Sequence, residues 1–359
     1  MISGRNCEPS LLQLPALRYG EQMNKPATVS LWRHLLAGVL LASAVLHPAA
    51  ARAEWLYREE AIMGTRCAVE VWATDKAQGE AAIDAVMADM RRIDESMSTY
   101  KPESEVSRVN AGAGKAPVPV SAELFSLLQT AQQYSALSDG VFDITYASVG
   151  YLYDYRAHKR PDSKTIAAAL PGVDYRQLKL DSAKRTVAFG KPGMRIDLGG
   201  IAKGYAVDRG IQILKDHGLT HAMVNAGGDT RVSGDRFGKP WVVGIRHPDR
   251  KDEVVLRMPL EDAAFSTSGD YERFFDEDGV RYHHIINPKT GSSPHEVRSV
   301  TIIASNATRT DGLSKTVFIL GPKAGIEFIN KLPDADAIVI AADGKVSYSK
   351  GLQAPEPKK

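Results

Sequence analysis

Apolar and polar positions along this chain change period several times, and the changes mark out its elements. Between Trp55 and Ala73 apolar residues alternate with polar ones, as in Cys67, Val69 and Val71, which predicts an opening pair of strands. From Lys76 to Met97 the period becomes helical: Ile83, Val86, Met87, Met90, Ile93 and Met97 share one stripe. Those methionines read as core. Ser121 is placed to cap a helix that runs to Leu137 and stops at Asp139-Gly140. A small hairpin (Leu178–Leu180 with Thr186–Phe189), a strand through Ile196 and a helix over Ala202–His217 are predicted next.

Short strands are then expected at Ala222–Asn225, Thr230–Ser233, Trp241–Ile245, Val254–Met258 and Ala263–Ser266. A hairpin of Tyr271–Asp276 and Val280–Ile286 turns at Glu277-Asp278-Gly279 and is followed by a strand at Val297–Ala304. Two helices, Asp311–Leu320 and Lys323–Lys331, and two short strands complete the pattern. Elements of one kind come in groups rather than in strict alternation. That predicts an α+β fold, a single two-lobed domain with mainly antiparallel sheets and flanking helices, not a doubly wound parallel sheet. There is no internal repeat, and no linker divides residues 54–350; residues 351–359 read as a polar tail.

The N-terminal region follows a different rule. Met23 reads as the initiator, after an upstream extension. Lys25, Arg33 and His34 precede the apolar run Leu35–Leu46, and Ala51-Arg52-Ala53 supplies the small residues a signal peptidase reads. This order predicts a cleaved leader, a mature chain starting at Glu54 and an exported, periplasmic protein. The apolar run is too short to span a bilayer. The whole chain carries 45 basic and 43 acidic residues, and the first 53 hold five of the basic and two of the acidic ones. The remainder is therefore nearly neutral, 40 against 41, which argues against a nucleic-acid surface. Of the two cysteines only Cys67 lies beyond the leader, so no internal disulfide is available and stability must come from the core.

Chemistry concentrates in short turn-like segments. In Arg195-Ile196-Asp197-Leu198-Gly199-Gly200-Ile201-Ala202-Lys203-Gly204-Tyr205 an apolar strand meets two glycines and then a helix with a lysine in its first turn. Glycines admit a close ligand, and a helix N-terminus offers free N–H groups to an anion. Similar segments are Met63-Gly64-Thr65, Ser98-Thr99-Tyr100 with Ser104-Glu105, and Asp139-Gly140-Val141-Phe142-Asp143. Four more are Asn225-Ala226-Gly227-Gly228-Asp229, Ser266-Thr267-Ser268-Gly269-Asp270-Tyr271, His284-Ile285-Ile286-Asn287-Pro288-Lys289-Thr290-Gly291 and Thr310-Asp311-Gly312-Leu313-Ser314-Lys315. The Gly-Gly block lacks the spaced three-glycine fingerprint of a nicotinamide site.

Taken together and in this order, these segments resemble the ApbE-type flavin transferases, the FAD:protein FMN transferase family. The resemblance covers residues 55–350. It implies FAD as substrate, a magnesium ion, and transfer of the FMN half to a threonine or serine hydroxyl of an acceptor protein, with AMP released. The implied acceptor is a flavoprotein subunit of a membrane-associated electron-transfer complex. By position, Met63, Tyr100, Val141, Phe142, Asp143, Asp197, Lys203 and Ile285 would bind the flavin nucleotide. His284 would help the acceptor hydroxyl lose its proton, and Asp311 would hold the metal with the Gly200 carbonyl. Asp229 reads as a turn aspartate.

The sequence departs from the family at one place. Four residues after the metal-binding aspartate, where the family carries a threonine ligand, stands Lys315. An ammonium cannot ligate magnesium. Ser314 is the adjacent oxygen donor, one residue off the helical angle. The expectation is that flavin binding is kept and magnesium is held weakly. Two other readings use the same residues: a magnesium-dependent FAD pyrophosphatase, with water replacing the acceptor hydroxyl, and a non-catalytic exported flavin-binding or assembly protein.

Overall fold

In a computed structural model of the chain, residues 53–246, 248, 250 and 253–353 are described. The leader and its cleavage site lie outside them, apart from Ala53. Strands β1 (Glu54–Ile62) and β2 (Thr65–Ala73) form a full-length antiparallel hairpin. Its two-residue loop, Met63-Gly64, has both residues at positive φ (55° and 68°), as the tight hairpin turns that match strand twist require. Asp75 then caps α1 (Lys76–Met97), whose predicted stripe is fully buried. The methionines are core.

Helix α2 (Glu105–Gly112) is not foreseen by the apolar pattern, because only Val106 and Val109 face the core; its signal is the cap, Ser104, which accepts from the Ser107 N–H. After the two-residue β3 (Val118–Pro119), Ser121 caps α3 (Ala122–Leu137) as expected, and Asp139 and Gly140 leave it with positive φ. Two short helices, α4 (Ala147–Gly150) and α5 (Ser163–Ala169), lead to β4 (Leu178–Asp181) and β5 (Thr186–Phe189). These pair with β3 in a small sheet of order β3-β5-β4.

The predicted strand through Ile196 does not form. Its backbone is extended but lacks a strand partner: the Asn110 side chain accepts from the Ile196 N–H (2.8 Å) and donates to its carbonyl (2.9 Å). A side-chain amide here does what a neighbouring strand would do. The segment runs into α6 (Ala202–Asp216). Strands β6 (Ala222–Ala226) and β7 (Asp229–Ser233) follow, then the separate hairpin β8 (Trp241–Arg246) and β9 (Val254–Leu260). Next come β10 (Ala264–Gly269), the hairpin β11 (Phe274–Glu277) and β12 (Val280–His283), and β13 (Val297–Ala304). Helix α7 (Ala307–Ile329) breaks at Gly321 (φ 86°), just before Pro322, which accounts for the two helices read from the sequence. Strands β14 (Ala335–Ala341) and β15 (Val346–Tyr348) close the fold.

One eight-stranded sheet organises the whole, in the order β1-β2-β6-β7-β10-β13-β14-β15 with every neighbour antiparallel. The other hairpins are excursions from it. Helix α1 packs on β1 and β2, α6 on β6 and β7, and α7 on β10, β13 and β14. The same helices touch each other in the order α1–α6–α7, so a helical layer follows the strand order. Two large apolar cores result, beside two smaller clusters. One lies under α1, α2, α3 and α6, and the other under α7 against β13 and β14. This is the expected α+β architecture with two lobes, and the seam between α6 and α7 is where the candidate site is built.

Candidate functional site

The seam is close because it contains a glycine. A Cβ on Gly204 would come within 2.2 Å of the Ala307 carbonyl oxygen and 2.9 Å of Asp311 Cβ, so any larger residue would push the helices apart. At this distance the helices cap each other. Asp208 of α6 accepts from the Ala307 and Thr308 N–H groups at the start of α7 (both 2.8 Å) and from the Thr308 hydroxyl. Asp311 of α7 accepts in return from the Gly204 N–H at the start of α6 (3.1 Å). The residue preceding α6, Ile201, offers no side-chain cap of its own. A carboxylate on those N–H groups also suits the positive end of the helix dipole.

Asp311 does not cap its own helix. Asn306 takes that place, accepting from the Arg309 N–H at 2.9 Å, and Asp311 lies in the second turn, fully buried. Two lysines meet it. Lys203 Nζ lies 2.8 Å from Asp229 Oδ2 and 3.7 Å from Asp311 Oδ2, and Lys315 Nζ pairs with Asp311 Oδ1. Burial on its own would raise the Asp311 carboxyl, but Lys203 and Lys315 hold it below the usual carboxylate range. Burial would likewise lower the Lys203 ammonium, but Asp229 and Asp311 hold it above its ordinary value. Asp229, read from the sequence as a turn residue, is thus the main partner of Lys203. It is buried, and its Oδ1 has no hydrogen-bond partner.

A cleft opens beside this cluster. Val141, Phe142, Asp143, Asp197, Gly200, His284, Ile285 and Lys315 all line it, although they are spread over some 170 residues of sequence. Tyr146 joins them, unforeseen by the sequence. Phe142 belongs both to the core and to the cleft wall. The two aspartates shape loops. Asp143 accepts from the Thr145 N–H (2.8 Å), the Thr145 hydroxyl (2.6 Å) and the Tyr175 N–H (2.9 Å). Burial nevertheless raises its carboxyl above the ordinary value. Asp197 accepts from the Gly199 N–H (2.6 Å) and the Thr99 hydroxyl (3.0 Å), and its own N–H donates to the Ile144 carbonyl (3.0 Å). It ties the glycine turn to two other segments of the site.

Met63, Tyr100, Lys203, Asp311 and Ser314 do not line the cleft wall itself. Lys203, Asp311 and Ser314 are reached through Lys315. Met63 stands in the β1–β2 turn, where a Cβ on Gly64 would lie 3.6 Å from Arg273 Nη2. Tyr100 is 81% exposed on the loop after α1, an unusual position for an aromatic ring that has no flat partner to cover.

Strand β12 ends at His283, so His284 is in the following loop rather than inside the strand as expected. The cause is visible in the hydrogen bonds: His283 Nε2 lies 2.8 Å from the Pro294 carbonyl, its Nδ1 takes the Ile285 N–H (3.4 Å), and Ser293 bridges its backbone. His284, released from the ladder, lines the cleft, and its Nδ1 has no hydrogen-bond partner. Burial, together with Arg273 and Lys315, lowers its imidazole to about 3, so it is neutral. Arg273, whose carbonyl accepts the His284 N–H (3.1 Å), also escaped the sequence analysis. It lies two residues after the Thr-Ser-Gly-Asp-Tyr block, which was the available signal.

The three donors expected for magnesium do not fit a resident divalent ion. Ser314 Oγ donates to the Asp311 carbonyl (2.8 Å) and shares a hydrogen bond with Ser268 Oγ (2.8 Å). Asp311 is engaged on both oxygens by Lys315 and Gly204, and the stem of Lys315 lies against Gly200. Among the described residues no three histidine, cysteine or acidic side chains gather to hold a metal.

Comparison with known proteins agrees with this geometry. The family model described as "ApbE family" matches residues 63–339. A FAD:protein FMN transferase of Treponema pallidum is 34% identical over 321 residues, covering 84% of this chain and 89% of that protein. One from Vibrio cholerae is 29% identical, covering 90% and 98%. Among solved structures, the ApbE protein of Thermotoga maritima superposes with a TM-score of 0.77 at 36% identity, covering 83% of this chain and 98% of that one. The flavin transferase ApbE from Vibrio cholerae gives 0.74 at 28%, with the same coverage. With the family model spanning most of the chain and relatives aligned over nearly their full length, this protein belongs to the ApbE family.

Proposed function

We propose that this protein is a FAD:protein FMN transferase, which breaks the diphosphate of FAD and joins the FMN phosphate to a threonine or serine hydroxyl of an acceptor protein, releasing AMP. The observation that carries the reading is the pair of lysines, Lys203 and Lys315, fixed by Asp229 and Asp311 next to a cleft that also presents a neutral histidine. A diphosphate needs fixed positive charge, and in-line displacement at phosphorus depends mainly on positioning and charge. The names of the relatives support the same reaction.

The chain's own residues divide the work. Tyr100 is free to cover a flat ring, and Phe142 supplies an apolar wall. The acceptor oxygen attacks the FMN phosphorus, the bond to the bridging oxygen breaks, and the electron pair leaves on AMP. The hydroxyl proton goes to His284 Nδ1. That imidazole is a weak base because it is buried and because the cations Arg273 and Lys315 lie near it. A bound diphosphate offsets those cations, so its basicity rises when the substrate arrives. Magnesium belongs to the family expectation, but its donors do not fit here and no step is routed through it.

We place the reaction outside the cytoplasmic membrane, on the strength of the leader pattern. We take the acceptor to be a subunit of a membrane-associated electron-transfer complex, the partner class that the family resemblance implies. Co-expression with candidate acceptors, followed by mass spectrometry and in-gel fluorescence, tests the reading. An FMN adduct on a threonine or serine is expected, and it should be lost with His284→Ala. Free FMN and AMP with no labelled protein identify a pyrophosphatase instead. Flavin bound without turnover identifies a carrier.

A further inference from the structure

We propose that Lys315 is the built-in cation of the diphosphate site, and that this chain cleaves FAD without a bound divalent metal. The inference rests on the transferase reading above and deepens it. Its basis is a coincidence of contacts. Lys315 stands where the family pattern has its threonine ligand, and its side chain touches the two expected ligand positions, Gly200 and Asp311, and the adjacent donor Ser314. A Cβ on Gly200 would lie 3.6 Å from Lys315 Cγ and 3.9 Å from Cε, so the lysine stem crosses that glycine. The ammonium pairs with Asp311 Oδ1 and lies 3.3 Å from Ser314 Oγ. Lys315 thereby lies against Gly200 and brings its ammonium to the two side-chain oxygens of Asp311 and Ser314.

A magnesium ion would need near-octahedral oxygens at about 2.0–2.1 Å. It would meet an ammonium at the same carboxylate, and the two cations repel. Ser314 Oγ, already bonded to Ser268 Oγ and to the Asp311 carbonyl, is a poor replacement ligand. The ammonium itself is well placed. One of its three N–H donors serves Asp311 and one faces Ser314, which leaves one for a phosphate oxygen in the cleft that Lys315 lines. Lys203 adds a second charge on the far side of Asp311. In the displacement the acceptor oxygen forms its bond to the FMN phosphorus, the bridging P–O bond breaks, and the pair departs on AMP. Lys315 contributes charge and a hydrogen bond to that departing oxygen, while the proton leaves through His284.

The test uses the full-length chain, Mn²⁺ as the metal probe and FAD as the substrate. Free Mn²⁺ is counted by electron paramagnetic resonance, flavin binding by fluorescence, and AMP release by chromatography, each with magnesium and with EDTA. The wild-type protein should leave Mn²⁺ free and release AMP at rates equal within about twofold in both conditions, whereas Lys315→Thr should take up one Mn²⁺ with FAD and lose about 10²–10³-fold in EDTA. Lys315→Met should bind no Mn²⁺ and lose activity in both conditions, with a normal melting transition to show that it folds. One Mn²⁺ bound per wild-type chain, or turnover abolished by EDTA while flavin stays bound, would overturn the inference and leave the transferase reading intact. A wild-type chain that binds no flavin in either condition overturns both.

Discussion

Two adjacent histidines illustrate how local surroundings assign different tasks to the same side chain. His284 is neutral beside the cleft, whereas His283 is neutral because it is buried against Phe318, which outweighs the pull of the Pro294 carbonyl toward the protonated ring. Burial lowers the His283 imidazole from 6.5 to about 4. Its folded-state value lies below its unfolded one, so the unfolded chain takes up a proton first as the solution is acidified. The corresponding stability is complete above pH 6.5 and is lost as pH falls from 6.5 through about 4. At about 1.4 kcal/mol per unit, the loss amounts to roughly 3 kcal/mol. Thermal melts between pH 7.5 and 4.5 should show a shallower decline for His283→Gln than for the wild-type chain, because the amide keeps a donor for Pro294 but has no proton to gain. Equal slopes would assign the acid sensitivity to other groups. At this scale the sequence was partly legible. His284 was singled out by its place in the His-Ile-Ile-Asn-Pro-Lys-Thr-Gly block, although it lies beyond the strand expected to hold it. Lys315 stood out as a departure before its contacts were known. Asp229 and Arg273 did not stand out. Their meaning depends on Lys203 and His284, which lie 26 and 11 positions away, and pairing across such separations leaves no periodic trace.

At the scale of elements, the contact between α6 and α7 decides whether the charges line up. Gly204 sets that distance. Gly204→Ala is expected to force α6 away from the Ala307 carbonyl and to cost about 1–3 kcal/mol, the usual range for an overpacked core. Because the same shift moves Lys203 and Asp311, flavin affinity should fall along with stability; a denaturant titration and a fluorescence titration measure the two effects. Loss of stability with unchanged flavin affinity would show that the seam does not position the charges. Long periodic elements such as α1 and α3 were readable nearly to the residue, since their apolar stripes and Ser or Asp caps are local signals. The segment around Ile196 was misread for an equally physical reason. Its apolar residues look like those of a strand, but its partner is the side chain of Asn110, and a side-chain partner cannot be read from a hydrophobic pattern.

Across the whole molecule, the eight-stranded sheet brings together segments that are far apart in the chain, which is why the fold class was legible and the cleft wall only became so in three dimensions. Two lobes share that sheet, and the lone thiol of the described residues, Cys67, is buried between β2 and β6, raised by burial to about 11. Buried and held as the thiol, Cys67 is unreactive. The reciprocal carboxylates of α6 and α7 have a further consequence. The Ala307 and Thr308 amides at one helix start and the Gly204 amide at the other depend on carboxylates of the opposite helix, so opening the seam strands amides at both. The amide protons of Gly204, Ala307 and Thr308 should therefore exchange with deuterium in unison, at one shared free energy of opening, while those near Tyr100 exchange fast and independently. Such lockstep would mean that the protein never displays half of its charge cluster: the ensemble holds molecules with the whole cluster or with none.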